Sequence, residues 1–522
     1  MKIKDRSKNS TQAKAKQTAA GKAANLYLML MLGIFPLFYR NNYINMMESK
    51  WLFFMVTTLI AFVAVTALWI AGIMKNKPAG FPKLYAPDIA LLVFGAGVLV
   101  SWFGTISIDY FKEAWDGSQG KMAGVFLYLI LILAYFIVSR FAGFNKVILH
   151  VYLWANFLVF SLAILNHFMV DPLGMYKNLM PDQYWMFCST MGNINVLSGY
   201  LCVFVPVTIA CFIQAKSSDE TLLFGSVMTV SFMGVVAANA DAGILGVAAG
   251  FLFLMWFSFE SMEKLARFFT ALALFFGSSL IIGSMDDSFA DTVKEPLETV
   301  PAFVSKSIFN RIALAVFVVL AVCCFRFAKR KWDETVLKKM RNLFFGVIGA
   351  VAAAAILAFI YFSAVNTTTD LGRWDTYLRF SDLWGSSRGF TWRRTLMMYF
   401  DNYTPFQKIF GFGPDLMIVP YHTYFHEAIM EKMGAYLADA HSETLQHLGS
   451  LGIVGMVSYH AFELAAQVRF VKNKKADAFV IAISAGVVGY MMQGLFCSPQ
   501  TISTPSLFLM AGLGEALIRQ ES

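Results

Sequence analysis

The sequence predicts an all-α integral membrane protein, and three observations lead there. Hydrophobic residues make up 58% of the 522 and charged residues only 14%, where soluble domains carry about 25% charged residues. Apolar runs recur along the chain at close to the ~20 residues that a helix needs to cross ~30 Å of hydrocarbon. Polar residues otherwise fall in brief breaks, and only the stretch 366–447 is long and without a membrane-length apolar run.

In order, residues 1–25 carry Lys2, Lys4, Arg6, Lys8, Lys14, Lys16 and Lys22 among Ala, Ser, Thr and Gln. This composition predicts a disordered cytoplasmic tail that lies against anionic headgroups. No small-residue cleavage site follows the apolar run 26–39, so it is expected to remain as a first span. Further runs lie near 51–73, 86–103, 122–139, 147–168, 194–213, 221–238, 242–258, 266–284, 308–325 and 343–364, and then near 448–468, 477–497 and 501–518. The expected division is therefore a bundle of about eleven spans over 26–365, a large loop over 366–447, and about three spans over 448–522, fourteen in all.

Charge placement gives an independent expectation. With the N-terminus in the cytoplasm, most of the 42 Lys and Arg fall in inner loops, and the large loop faces outward from the plasma membrane. The net charge of +9 is then accounted for by topology, and no nucleic-acid partner is expected. The loops 101–121 and 170–195 are aromatic and long enough to roof a site on the same outer side. The acidic stretch 285–307, with Asp286, Asp287, Asp291, Glu295 and Glu298, predicts a short interfacial helix with a solvated face. The six cysteines lie in or beside apolar runs at no metal-binding spacing and read as small core residues. No internal repeat is visible.

Within 366–447 stand Arg373, Arg379, Arg388, Arg393 and Arg394 together with His422, His426 and His441. Arginine forks beside an imidazole suit a phosphate-bearing substrate and a proton acceptor. The plainer reading of such an arginine is a surface residue paired with Asp370, Asp375 or Asp382. Arg393 and Arg394 sit on nearly opposite sides of a helix, so at most one is expected to face a site. His422 and His426, four residues apart, put two imidazoles on one helical face, yet without a third ligand no metal site is expected. His460 and Glu463 lie inside a span, where ionisable groups are functional by default, although Arg469 is close enough in sequence to partner Glu463.

The sharpest pattern runs Ser387-Arg388-Gly389-Phe390-Thr391-Trp392, then Gly411-Phe412-Gly413-Pro414, then Ala440-His441-Ser442-Glu443-Thr444-Leu445, closing on Leu451-Gly452-Ile453-Val454-Gly455. In this order the elements resemble the O-antigen ligase and O-antigen polymerase superfamily of bacterial membrane glycosyltransferases. Gly192-Asn193-Ile194-Asn195 is similar to the Gly-Asn-x-Asn segment of that family, and Lys121 stands where its loop Gly-x-x-x-Arg-x-x-Gly has arginine. Ser442 replaces the usual Asn, and Asp241, in Asn239-Ala240-Asp241-Ala242-Gly243, replaces a family arginine.

The resemblance implies transfer of a glycan from an undecaprenyl-pyrophosphate donor to an acceptor sugar hydroxyl, lipid-linked or not. Pyrophosphate is a good leaving group if cations stabilise it, and the acceptor hydroxyl needs a base. On that reading His441 is the base, Arg388 holds the pyrophosphate and Glu443 orients His441 or binds the acceptor. Arg379, Arg393, Arg394, Trp392, Asn193, Asn195, Lys121 and Asp241 are the expected substrate-binding residues. Arg388, Asn193, Asn195 and His441 are expected to line one cavity that opens sideways to lipid. No cofactor is expected, and the lack of a paired-carboxylate DxD in the loop leaves metal-independent transfer as the expectation. An exporter or lipid-linked glycan flippase is the alternative, with a non-enzymatic assembly scaffold behind it.

Overall fold

The computed structural model describes residues 18–75, 83–118, 121–330, 332–474 and 477–521. Most of the basic tail, the loop 76–82 and residues 119–120 of the Lys121 loop lie outside the described residues. Among the described residues strand is limited to the pairing of Phe187–Cys188 with Gly192–Asn193, and helix dominates elsewhere. Among the described residues ten helices are long and apolar enough to cross a membrane: Met46–Met74, Ala86–Ile108, Lys146–His167, Ile194–Gln214, Ser218–Ala237, Asp241–Ser258, Met262–Ser288, Ile308–Ala328, Glu334–Val365 and Glu443–Lys472. Ala19–Ile34, Val125–Phe141 and Ala478–Gly494 are shorter apolar helices, and Thr504–Glu521 follows them. A helix therefore occupies each apolar run read from the sequence.

Burial ranks these helices from centre to rim. Ile194–Gln214 is apolar all round and its membrane-length window is wholly buried, so it is the axis on which Asp241–Ser258 and Ala478–Gly494 pack. Glu334–Val365 is equally apolar, yet none of its window is buried inside the protein. It touches the bundle through Phe344 and Phe345, packed on Phe259 and Trp256, and the rest of its apolar surface faces lipid, since exposure to water would cost about 25 cal/mol for each Å².

The first helix begins earlier than the tail boundary at residue 25 allows. Thr18 caps Ala19–Met29 by accepting from Gly21 N at 3.1 Å, and Ala20, Ala24 and Asn25 are buried. Small residues there let the helix pack closely, and Asn25 Oδ1 takes the Gly143 N–H at 2.8 Å. Asp286 is also not on a solvated face. It ends the Met262–Ser288 helix, is buried, and meets His167 Nε2 at 2.7 Å and Lys306 Nζ at 2.6 Å. The short helix expected nearby is Thr299–Lys306.

Segments sort to two ends. At one, Asp88 pairs with Arg140 (2.9 Å) and Arg519 (2.8 Å), Glu515 with Arg469 (2.5 Å), and Glu260 with Lys474 (3.0 Å). Glu463 is consequently not the partner of Arg469, which Glu515 already satisfies. At the other end residues 101–118, 121–123 and 493–501 meet the long segment 366–447. That segment folds as the short helices Trp384–Met397, Pro405–Phe410 and Ile418–Met433 around Phe390, Met398, Tyr403, Met417, Tyr421 and Ile429.

A backbone interlock ties this segment to the bundle. The Glu443–Lys472 helix breaks at Gly452 (φ 67°, ψ −169°), which frees carbonyls just before it. Gly449 O accepts from Phe412 N at 3.0 Å, and Ser450 O accepts from Gly413 N at 3.0 Å and Ser101 Oγ at 3.1 Å. Gly411 and Gly452 face these contacts in left-handed conformations, and a Cβ on either would lie 2.2–2.4 Å from opposing backbone. Only glycine meets both requirements.

Candidate functional site

Four segments converge just above the interlock, and each carries a non-glycine residue in the left-handed region: Met122 (φ 53°), Ser387 (φ 67°), Asp415 (φ 57°) and His441 (φ 47°). Such conformations cost of order 1 kcal/mol or more and persist only where surrounding contacts over-determine them. Here the contacts are polar. Asp415 accepts from Ser118 N (2.7 Å), Ser118 Oγ (2.9 Å) and Ala123 N (3.1 Å), clamping both sides of the 117–123 loop. Burial pushes the Asp415 carboxyl above its ordinary range despite Lys121 and these donors.

The clamped loop delivers Lys121, whose Nζ lies 2.5 Å from Asp439 Oδ2. The other oxygen of Asp439 accepts from His441 N at 2.8 Å and Ser498 Oγ at 3.0 Å, and lies 3.1 Å from His441 Nδ1. Burial alone would raise the Asp439 carboxyl, but Lys121 and His441 beside it hold it well below the usual carboxylate range. It is therefore a fixed anion. A carboxylate at Nδ1 keeps the proton on that nitrogen and leaves Nε2 with its lone pair. Burial pushes the imidazole pKa down, Asp439 opposes this, and Arg388 and Lys121 push it down further. The side chain is 43% exposed, so solvent tempers the shift and keeps the ring reachable.

Arg388 opens the regular part of its helix directly after the left-handed turn Gly385–Ser387. Its Nε donates to Phe496 O at 3.0 Å and Nη1 to Gly385 O at 2.9 Å, and among the described residues no hydrogen bond engages Nη2. One turn on, Trp392 stacks against Phe496 with centroids 6.2 Å apart. Its Nε1 is buried and has no hydrogen-bond partner among the described residues. Two donors, one on each of two residues that touch Phe496, thus lack acceptors among the described residues, an arrangement that fits an anionic ligand.

The other residues expected at the site are spread differently. Arg379 is spent on Asp375 and on the carbonyls of Phe362 and Thr369. Arg393 pairs with Asp382 at 3.1 Å, and Arg394 lies over Phe390 and Phe425. Asp241 accepts from Thr299 Oγ1 and Val300 N, capping Thr299–Lys306. Asn193 is the N-cap of Ile194–Gln214 and accepts from Asn195 N. Asn195 O is reached by Gln493 Nε2 at 3.4 Å, three residues before Phe496. Among the described residues no hydrogen bond joins either asparagine to Arg388 or His441.

Glu443 is also elsewhere. It is buried in the bundle, and its Oε1 accepts from Tyr459 OH at 2.7 Å and Tyr490 OH at 3.2 Å. The carboxylate that orients His441 is Asp439, which sequence reasoning missed. Its signal was the spacing Asp439-Ala440-His441, where a left-handed turn folds the carboxylate back onto the ring. Asp415 was missed as well, and only its place next to Pro414 in the glycine turn hinted at it. His422 and His426 face each other with Nδ1 atoms 3.0 Å apart, and Leu437 N donates to His422 Nε2 at 3.2 Å. Among the described residues no group of three or more His, Cys, Asp or Glu is placed to hold a metal ion. No protein-family model matches the chain, and no curated protein matches it.

Proposed function

We propose that this protein is a glycosyltransferase of the plasma membrane that moves a glycan from an undecaprenyl-pyrophosphate carrier to an acceptor sugar hydroxyl. In this reading about fourteen helices span the bilayer, and 366–447 caps its outer face. The observation that carries it is the Lys121–Asp439–His441 relay beside an arginine with an unused donor. His441 Nε2 takes the acceptor proton as the acceptor oxygen attacks the anomeric carbon. The bond from that carbon to the pyrophosphate oxygen breaks, and the electron pair leaves with the lipid pyrophosphate. Arg388 and Trp392 Nε1 stabilise the departing charge by pointing donors where it develops. Asp439 stays ionised, holds the imidazole tautomer and balances the imidazolium.

One observation favours the exporter as second reading. His460 Nδ1 meets Glu463 Oε2 at 2.8 Å inside the Glu443–Lys472 helix, with Thr444 Oγ1 3.0 Å from His460 Nε2. Buried ionisable groups of this kind serve proton-coupled movement in membranes. The deciding experiment uses purified protein in detergent with chelator, a synthetic undecaprenyl-pyrophosphate oligosaccharide and a panel of acceptor glycans. Formation of a larger glycan, lost in Arg388→Lys because an ammonium lacks the planar fork, is the expected result. Absence of transfer together with pH-driven translocation of the lipid in proteoliposomes would overturn it in favour of the exporter.

A further inference from the structure

A groove of about 630 Å³ runs over the lipid-facing surface between the helices Asp241–Ser258, Glu443–Lys472 and Ala478–Gly494, walled by Ala249, Phe253, Leu464, Val468, Met492 and Leu495. Leu464 is 55% exposed, Val468 52% and Leu495 43%, so the groove opens sideways into the bilayer. Its length can be read from the helix register. Gln467 and Ser484 hydrogen bond to each other, so the two antiparallel helices are level there. From Lys472 at one end to Leu495 at the other, a rise of 1.5 Å per residue gives about 25 Å.

Two features choose an occupant. The groove is longer than the ~15 Å of one leaflet, half of a ~30 Å hydrocarbon core, so an ordinary acyl chain ending at the midplane leaves its last ~10 Å unfilled. It also ends at the site: Leu495 is followed by Phe496, whose carbonyl holds Arg388 and whose ring stacks on Trp392. Two residues further on, Ser498 bonds Asp439. The larger apolar cleft, about 840 Å³ and lined by Val247, Phe251 and Phe344 among others, has no such continuity with a site residue.

We infer that this groove holds the polyisoprenoid tail of the lipid-linked donor, threading it past the midplane so that the pyrophosphate is delivered to Arg388. The inference rests on the glycosyltransferase reading for the identity of the headgroup. It adds a tail-binding site and a preference for long isoprenoid chains over acyl chains.

The test has a binding arm and a kinetic arm. In the first, a polyprenyl pyrophosphate with a diazirine near the tail terminus is photolysed with the full-length protein in nanodiscs. Labelling of peptides containing Leu464 or Val468, competed by unlabelled C55 polyprenyl pyrophosphate and not by phosphatidylglycerol, is expected. In the second, Val468→Trp and the milder Val471→Phe narrow the far end of the groove. KM for a C55 donor should rise about tenfold or more, since losing contact with only two methylenes costs that much, while a C10 donor that cannot reach those residues is used unchanged. Labelling confined to other helices, equal competition by phospholipid, or equal effects on both donors would each overturn the inference. The binding arm needs no turnover, so competed labelling in a protein that transfers nothing refutes the glycosyltransferase reading and leaves the tail site standing.

Discussion

His441 is held by a carboxylate that itself cannot take its proton, and the consequences are measurable. Its pKa is below the ordinary imidazole value of about 6.5, so the neutral base is already the main form at pH 7. A transfer rate that rises with pH should level off below neutrality. Replacing Asp439 with Asn removes the one neighbour that pulls this pKa upward, so the rising limb should move to still lower pH while turnover drops. An unmoved limb in Asp439→Asn would show that His441 is not the titrating base. Histidine and arginine stood out in the sequence by residue type and by their place in a long polar loop. Asp439 was not, because only the left-handed backbone at His441 brings its side chain onto the ring, and backbone conformation at a non-glycine residue leaves little trace in composition. For Arg379 and Arg393 the structure shows the plainer reading of a surface arginine, pairing with Asp375 and Asp382.

At the scale of elements, the Gly411 and Gly452 interlock and the Asp415 clamp make the site an assembly of loops on one broken helix. Gly452→Ala should cost about 1–3 kcal/mol from a backbone conformation essentially confined to glycine, with a further penalty from contact with Ile409. A melting temperature in detergent equal to that of the parent would contradict the interlock. Asp415→Ala leaves the Ser118 and Ala123 donors unsatisfied at about 1–3 kcal/mol each and frees the Lys121 loop. Transfer should fall in that variant even where the purified protein remains folded by circular dichroism. The glycines stood out in the sequence as a pattern, but the break at Gly452 did not, since 448–468 reads as one continuous apolar run. The three hydrogen bonds to Asp415 join residues almost three hundred positions apart in sequence, and no local pattern encodes such a contact.

For the molecule as a whole, hydropathy located the helices well because lipid imposes a length on each of them. Burial order was not legible: Ile194–Gln214 and Glu334–Val365 read alike, yet one is the axis and the other lies at the rim. Apolar residues satisfy lipid and protein neighbours equally. The ion pairs joining Asp88, Arg140, Glu515, Arg469 and Arg519 gather at the end away from the site, which agrees with a cytoplasmic face there. With Cys323 replaced by Ser, a cysteine at exposed Lys329 should react with a membrane-impermeant thiol reagent only after the inner face is opened, and one at Ser386 should react in intact cells. The opposite pattern would invert the topology. The central claim, a base at His441 serving a donor held by Arg388, is tested most directly by single-turnover transfer from a synthetic undecaprenyl-pyrophosphate glycan with donor binding measured alongside. His441→Ala should bind donor like the parent and transfer 10²–10⁴-fold more slowly, the usual scale for losing a general base, with the pH limb abolished; transfer at the parental rate would contradict the account.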